Sequence, residues 1–327
     1  MSDIDIVIPW VDGSDPAWRA ARAAAVPGAG DDASEARYRD WGTLRYWFRS
    51  VEQFAPWVRT IHFITWGHLP AWLDTRHPKL HIVRHDDYLP EAYRPTFNSN
   101  AIELSIHRIE GLAEQFILFN DDFFLGRPAR PTDFFRNGLP RDMAALSLPA
   151  LEPIAHIILN CLMPINRRYR PHRVIARHPF KWLTLRYGAG KLLKTCLLLP
   201  WSNFPGIRDH HMAQGYLRSR FAEAWEQWPD LLDATSRNRF RTTGDVSHWL
   251  IRYDNLCRGT FDPIGYNDCR QMTLTDDCEA LCRTIEQQRC RMFCLHDDAA
   301  IRDFGRVSAR LCAAFERIFP NPSSYEK

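Results

Sequence analysis

Asn120-Asp121-Asp122 is the strongest local chemical signal in the chain. Carboxylates side by side can hold Mg²⁺ or Mn²⁺, which prefer oxygen ligands and keep water and phosphate in their remaining positions. A turn or helix cap uses the same residue types. Asp12-Gly13-Ser14-Asp15 is a second acidic turn, in which Gly13 lets backbone amides approach a phosphate closely. An ordinary turn is the competing reading. His210-His211 can supply a general base near neutral pH, although most histidines are structural. Arg239-Phe240-Arg241 offers a guanidinium that can clamp a phosphoryl group bidentately, against the solvated surface arginine that is the usual outcome.

Five of the nine cysteines fall between Cys269 and Cys294. Cys278-x₃-Cys282 and Cys290-x₃-Cys294 resemble a four-thiolate zinc set. The spacing suits a helical face, however, and the second pair enters a strand. Buried thiols are the expectation.

These residues need a frame. Ile4 to Val11 reads as a buried strand closed by the turn from Asp12 to Pro16. Ala23 to Ala33 has the composition of a mobile loop. Leu44 to Phe54 has helical spacing, Thr60–Thr65 and Leu80–Val83 read as strands, Asn100 to Leu112 as a helix, and Gln115–Phe119 as a fourth strand. The alternation predicts α/β architecture: a mainly parallel, Rossmann-like sheet flanked by helices. The fourth strand runs straight into Asn120-Asp121-Asp122, and open α/β sheets bind ligands just beyond the carboxyl ends of their strands. Further on, Phe221–Leu232 and Val246–Leu256 read as helices. Thr275 is a candidate cap for a helix from Asp276 to Gln288. Arg291–Leu295 reads as a strand leading to His296-Asp297-Asp298, and a last helix near Val307–Phe319 stops at Pro320.

The net charge of +3 over 327 residues does not mark a nucleic-acid binder, and no nucleic-acid-binding module is recognisable. The charge distribution says more. From Pro153 to Arg208 there is no Asp or Glu, while Arg167, Arg168, Arg170, Arg173, Arg177, Lys181, Arg186, Lys191, Lys194 and Arg208 all fall there. Tyr169, Phe180, Trp182, Tyr187 and Trp201 are interleaved with them. Such a section suits an anionic glycan or the headgroups of an anionic membrane, unless it merely covers the core. Three parts are expected: 1–152, an α/β half carrying the Asn-Asp-Asp turn; 153–208, a helical basic insertion; and 209–327, the rest of the catalytic domain. Met1-Ser2-Asp3 is unlike the start of a secretory signal, and the apolar runs Ile154–Ile165 and Leu192–Trp201 are too short to span a bilayer. A cytoplasmic protein with reduced thiols is expected, with peripheral contact at the inner face of the membrane.

Together these strings resemble the Stealth family of sugar-phosphate transferases, which includes capsule phosphotransferases and the animal GlcNAc-1-phosphotransferase. Ile4–Asp15 resembles its first region. Arg39-Asp40-x₃-Leu44-Arg45-Tyr46, Ala55–Arg59, Pro95–Glu103, His107–Leu112 and Phe119–Asp122 resemble its second. His211-Met212-x-Gln214 and Arg239-Phe240-Arg241-x₃-Asp245-Val246 resemble the third, with Ala213 where proline is common. Phe293–Asp297 resembles a fourth, with His296 where the family commonly has Asn.

The resemblance implies a glycosyltransferase-A-like fold and transfer of a hexose-1-phosphate from a UDP-sugar to a glycan hydroxyl, with release of UMP. It implies Mg²⁺ or Mn²⁺ at Asp121 and Asp122, with His211, Arg241, Asp122 and Asp297 catalytic. His211 would take the acceptor proton, and Asp297 would orient His211 or ligate the metal. Asp12, Gly13, Arg45, Thr96, Asn98, Glu103 and Asn120 would bind substrate. A glycosyltransferase releasing UDP, or an inactive glycan- or lipid-binding protein, are the alternatives. The released nucleotide separates them.

Overall fold

The computed structural model describes residues 3–25, 39–149 and 155–327. Its strands, in chain order, are β1 (Ile4–Pro9), β2 (Ile61–Thr65), β3 (Leu80–Arg84), β4 (Gln115–Leu118), β5 (Phe123–Leu125), β6 (Phe135–Arg136), β7 (Leu139–Asp142), β8 (Gln214–Leu217), β9 (Asp262–Pro263), β10 (Arg270–Thr273) and β11 (Met292–His296). The central sheet has the order β3-β2-β1-β4-β8. Its first four strands are parallel, and β8 joins β4 antiparallel with Leu118 opposite Gln214. The fold is thus α/β with a mostly parallel central sheet, as expected.

Alternate residues of these strands feed two cores. Ile4, Ile6, Ile8, Ile61, Phe63 and Ile117 join one with the helices Leu44–Phe54 and Phe304–Ile318. Val7, Ile64, Val83, Phe116 and Leu118 join the other with the helices Ala155–Arg168, Arg218–Gln227 and Trp249–Arg258. Burial on both faces explains why the strands read as continuous apolar runs. Asp5 is the polar exception in β1. It is fully buried and accepts from Arg59, His62 and the Ala113 amide, which hold its carboxyl down near 2 against the desolvation of burial.

Helix bounds depart from the sequence reading where local chemistry intervenes. The segment from Asn100 is an α-helix only over Ser99–Leu104, followed by a 3₁₀ turn at Ile106–Arg108. The helix read over Phe221–Leu232 is two, Arg218–Gln227 and Pro229–Ser236, because proline supplies no amide to continue the first. Thr275 does not cap the next helix. Its hydroxyl donates to the Asp277 carbonyl, and the helix is Glu279–Glu286 with Cys278 as cap. β11 pairs with β10 and β5 in a separate sheet. The stretch 23–33 lies outside the described residues from 26 onward, and Ala23–Ala25 end the helix Pro16–Ala25.

The described part of the basic section is helical, with helices Ala155–Arg168, Pro171–Arg177, Pro179–Trp182 and Ala189–Leu198. It is built into the molecule: Ile157, Cys161, Ile165, Trp182 and Tyr187 belong to the second core. Its ends are clasped together. Ser147 N donates to Gly206 O at 3.0 Å and Arg208 N to Ala145 O at 2.8 Å, with Leu146 bridged to Ile207. Among the described residues, no helix is long and apolar enough to cross a membrane.

Candidate active site

β4 ends at Leu118 and delivers Asn120-Asp121-Asp122 beyond the carboxyl edge of the sheet. A cleft with two compartments opens there. The larger, about 280 Å³, is lined by Trp10, Trp18, Trp66, Phe97, Phe240 and Asp121, among others. The smaller, about 120 Å³, is lined by His210, His211, Gln214, His248 and Arg252, among others. Ser99, Glu103, Asn120 and Arg241 line both. The sequence reading had singled out three of these four.

Arg241 owes its position to a buried amide-carboxylate knot. Asp245, with no exposure, accepts from Asn98 Nδ2 at 2.7 Å, Asn238 Nδ2 at 2.7 Å, Thr242 Oγ1 at 2.8 Å and Thr242 N at 3.1 Å. Phe97 N donates to Arg239 O at 2.7 Å, and the Phe97 and Phe240 rings stack. The segments around Asn98 and Arg241 are thus one unit. Arg241 itself donates to Ser99 Oγ at the joint between compartments.

Asp121 and Asp122 are adjacent carboxyl groups with no basic side chain paired to either among the described residues. Asp121 keeps solvent exposure at the cleft, and crowding by the surrounding protein raises its carboxyl above the usual range; burial and the charge of Asp121 push Asp122 up to about 7. Asp122 Oδ1 has no hydrogen-bond partner. This is charge that a divalent cation would compensate, so the pair fits a metal. The carboxyls diverge: Asp121 faces the larger compartment. Asp122 lies beside β11, its backbone carbonyl accepting from Leu295 N and its Oδ2 from the Cys294 thiol at 3.2 Å.

His211 lies three residues before the start of β8 and has φ of +43°, a left-handed conformation costly for a residue with a Cβ. Its ring packs edge-on against Phe123 and stacks on His296, with centroids 5.1 Å apart. Burial pushes it down to about 4, so the imidazole is neutral near pH 7, as a general base must be. Burial also pushes Glu103 up to about 7 and His248 down to about 3.

Several expected residues are elsewhere. Asp297 does not orient His211: it pairs with Arg39 at 3.2 Å and accepts from Trp41 Nε1 at 3.3 Å. Its neighbour His296 meets His211 instead. Asn98 is buried in the Asp245 knot and positions the Arg241 loop rather than facing the cleft. Arg45 lies 5.7 Å over the Trp72 ring and does not line the cleft. Asp12 accepts from Ser14 N and Oγ, an ordinary Asx turn, and with Gly13 flanks Val11 at the rim of the larger compartment. Thr96 lines that compartment as expected. The four cysteines do not form a thiolate set: Cys294 stands with Asp122, and all nine thiols are free.

Sequence reasoning missed the aromatic wall and the charged floor. Trp10 and Trp66 each follow the last residue of a parallel strand, a position that could have revealed them. Nothing local marked Arg252, which pairs with Asp142 and Asp209 beneath the smaller compartment. Nor did anything mark His248 Nδ1, 2.6 Å from the Tyr216 hydroxyl.

Residues 2–29, 37–142 and 210–253 match Stealth protein conserved regions 1, 2 and 3. The chain is 37% identical to a capsular polysaccharide phosphotransferase, WcwK, of Streptococcus pneumoniae, over 100% of this chain and 99% of that one. It is 36% identical to an exopolysaccharide phosphotransferase, cps2G, of Lactiplantibacillus plantarum (99% and 96% covered). It is 33% identical to a receptor polysaccharide phosphotransferase, WefC, of Streptococcus oralis, over the whole of both chains. The chain belongs to the Stealth family. Like these full-length relatives, this Stealth protein is a phosphotransferase. The matched regions carry both halves of the cleft: regions 1 and 2 supply Trp10, Glu103 and Asn120–Asp122, and region 3 supplies His211 and Arg241.

Proposed function

We propose that this protein moves a hexose-1-phosphate, such as N-acetylhexosamine-1-phosphate, from a UDP-sugar to a glycan hydroxyl in capsule or exopolysaccharide synthesis, releasing UMP. The observation that carries this reading is the two-compartment cleft with Glu103, Asn120 and Arg241 at its joint. The aromatic compartment suits a nucleobase and ribose, and the smaller one admits the acceptor hydroxyl beside His211. A glycosyltransferase-A-like form of the sheet agrees with a nucleotide at the carboxyl ends of β1 and β2.

The acceptor oxygen attacks the β-phosphorus, its proton passes to His211, and the bond from that phosphorus to the nucleoside monophosphate breaks. Such a transfer needs charge neutralisation and in-line positioning more than covalent help. Arg241 faces the joint and neutralises the equatorial phosphoryl oxygens. Asp121, with Asp122 beside it, would hold Mg²⁺ or Mn²⁺, which supplies charge neutralisation at the diphosphate.

The basic section gathers an anionic acceptor at an anionic membrane surface, at the cytoplasmic face. The large exposed hydrophobic side chains of the described residues all fall between Leu148 and Trp201, among them Phe180 at 88% exposure, Leu185 and Leu197. Leu193 and Leu197 share a helical face one turn apart, and Arg167, Arg168, Arg173, Arg177 and Lys194 are exposed in the same section. Apolar anchors among cations suit a headgroup layer. The helix Ala155–Arg168 links this surface to the cleft: Ile157 lines the smaller compartment, while Leu159 and Met163 are exposed.

Incubation with a panel of nucleotide-sugars, Mg²⁺ and glycan acceptors, followed by identification of the released nucleotide, tests the reading. UMP release coupled to a new phosphodiester is expected. UDP release would make the enzyme a glycosyltransferase and overturn it.

A further inference from the structure

His296 is the residue that the proposed reaction leaves unused, and it does not stand alone. One donor atom from each of Asp122, His211, Cys294 and His296 lies within 4.8 Å of the other three. Three different elements supply them: the turn after β4, the loop before β8, and β11. Alternation along β11 points Cys294 and His296 to the same side. Cys294 Sγ is already 3.2 Å from Asp122 Oδ2 and 3.7 Å from His296 Nε2. Tetrahedral zinc, with bonds of about 2.0–2.3 Å, sets its donors roughly 3.3–3.8 Å apart. The Cys294–His296 pair is at that spacing, the Cys294–Asp122 pair falls just short of it, and all four donors lie within 4.8 Å of one another.

The chemistry of the set is as telling as its geometry. Two imidazoles, a thiol and one carboxylate are poor ligands for Mg²⁺, which selects oxygen, and good ones for a borderline ion such as Zn²⁺. Asp122 Oδ1 lacks any hydrogen-bond partner, so the carboxylate has a lone pair to give. The set is distinct in character from the oxygen ligands that the diphosphate compartment offers through Asp121.

We infer that Asp122, His211, Cys294 and His296 bind a zinc-class divalent ion, and that this ion switches the transferase off by occupying the imidazole that accepts the acceptor proton. The second half rests on the role proposed for His211; the first does not. Binding replaces the thiol proton of Cys294 with a metal–sulfur bond, and that proton passes to solvent, so affinity rises with pH. No redox partner is involved. Asp122 belongs to both arrangements, so the inhibitory ion competes with Mg²⁺ as well as with proton transfer.

Cobalt is the probe, because its spectrum reports ligand type and geometry without reference to turnover. The reduced, chelator-treated full chain should bind one equivalent of Co²⁺ with the intense visible bands of four-coordinate cobalt and a thiolate charge-transfer band. Zn²⁺ should displace it. Cys294→Ser should lose the charge-transfer band, and His296→Asn, which installs the residue common in the family, should weaken binding by about tenfold or more. Stoichiometric zinc should inhibit the wild-type enzyme reversibly, while His296→Asn should retain Mg²⁺-dependent turnover and resist zinc. A pale six-coordinate cobalt spectrum unchanged by either substitution would overturn the site. A correct cobalt spectrum with equal zinc inhibition of wild type and His296→Asn would overturn the switch. Neither result depends on which nucleotide the enzyme releases.

Discussion

Asn98 Nδ2 donates to Asp245 Oδ2 over 2.7 Å, and both side chains are fully buried. This bond joins two segments 147 residues apart and fixes the loop that aims Arg241. Asn98→Ala leaves the buried carboxylate short of a donor, a cost of about 1–3 kcal/mol. A misplaced guanidinium costs about 10²-fold in rate. The variant should therefore melt lower and turn over about a hundredfold more slowly while still releasing the same nucleotide. Wild-type turnover in a folded Asn98→Ala protein would show that the loop holds itself.

His211→Ala removes the base proposed for the acceptor hydroxyl. Rapid-quench kinetics should show kcat lower by about 10²–10⁴-fold. Donor affinity, set mainly by the aromatic compartment, should change little. If donor binding collapses while kcat survives, His211 is a binding residue.

Asp121→Ala and Asp122→Ala should each abolish turnover, because the diphosphate loses the cation that neutralises it. Excess EDTA should do the same to the wild type, with Mg²⁺ or Mn²⁺ restoring activity. Persistent turnover of both variants in EDTA would remove metal from the reaction.

Glu103 gives a pH signature. Burial raises its carboxyl from an ordinary value of 4.5 to about 7 in the fold. Above pH 7 the fold must therefore carry an unfavourable buried charge. Between about pH 7 and 4.5 the folded state binds a proton that the unfolded chain does not, so that penalty is relieved as pH falls. Glu103→Gln should accordingly melt a few degrees above wild type at pH 8.5, and the gap should close by pH 5. Calorimetric scans without nucleotide measure it, and a gap that widens towards acid would contradict the assignment.

Replacing Arg168, Arg170, Arg173 and Arg177 by Gln should raise the acceptor KM and flatten its salt dependence, since exposed charges are screened beyond about 8 Å at physiological salt. Slow donor hydrolysis should persist. Leu193→Ser with Leu197→Ser should reduce flotation with anionic liposomes and leave solution kinetics on a soluble acceptor unchanged. If neither protein floats, and the arginine variant keeps its KM and salt slope, the section is a structural cover.

The parallel strands and the Asn-Asp-Asp turn were legible because β-branched runs and acidic turns are local signals. Helix ends misread at Ser105, Pro229 and Thr275 depended on breaks and caps that periodicity does not register. The proposed catalytic residues Asp122 and His211 were legible as residue types. Their relation to Cys294 and His296 was not, since it arises from β5 pairing antiparallel with β11, a non-local contact. That Asp297 meets Arg39 and Trp41 while its neighbour His296 meets His211 was hidden for the same reason, since side chains alternate along extended backbone. Asn98 looked like a substrate ligand because a buried amide that ties two loops and one that grips a sugar present the same letter in sequence.

The clasp at Ala145–Ser147 and Gly206–Arg208 has an evolutionary consequence. A chain that departs and returns at one point can gain or lose turns between without moving what precedes or follows it. Asp142, before the clasp, and Asp209, just after it, both grip Arg252 beneath the cleft, so the floor of the cleft is tied on either side of the excursion. The outward face of residues 155–205 is therefore free to vary, provided Ile157, Cys161, Ile165, Trp182 and Tyr187 keep their seats in the core. If the section selects the acceptor, as proposed, it is an exchangeable cassette, and swapping it between related polysaccharide phosphotransferases should change acceptor use while leaving the cleft as it is.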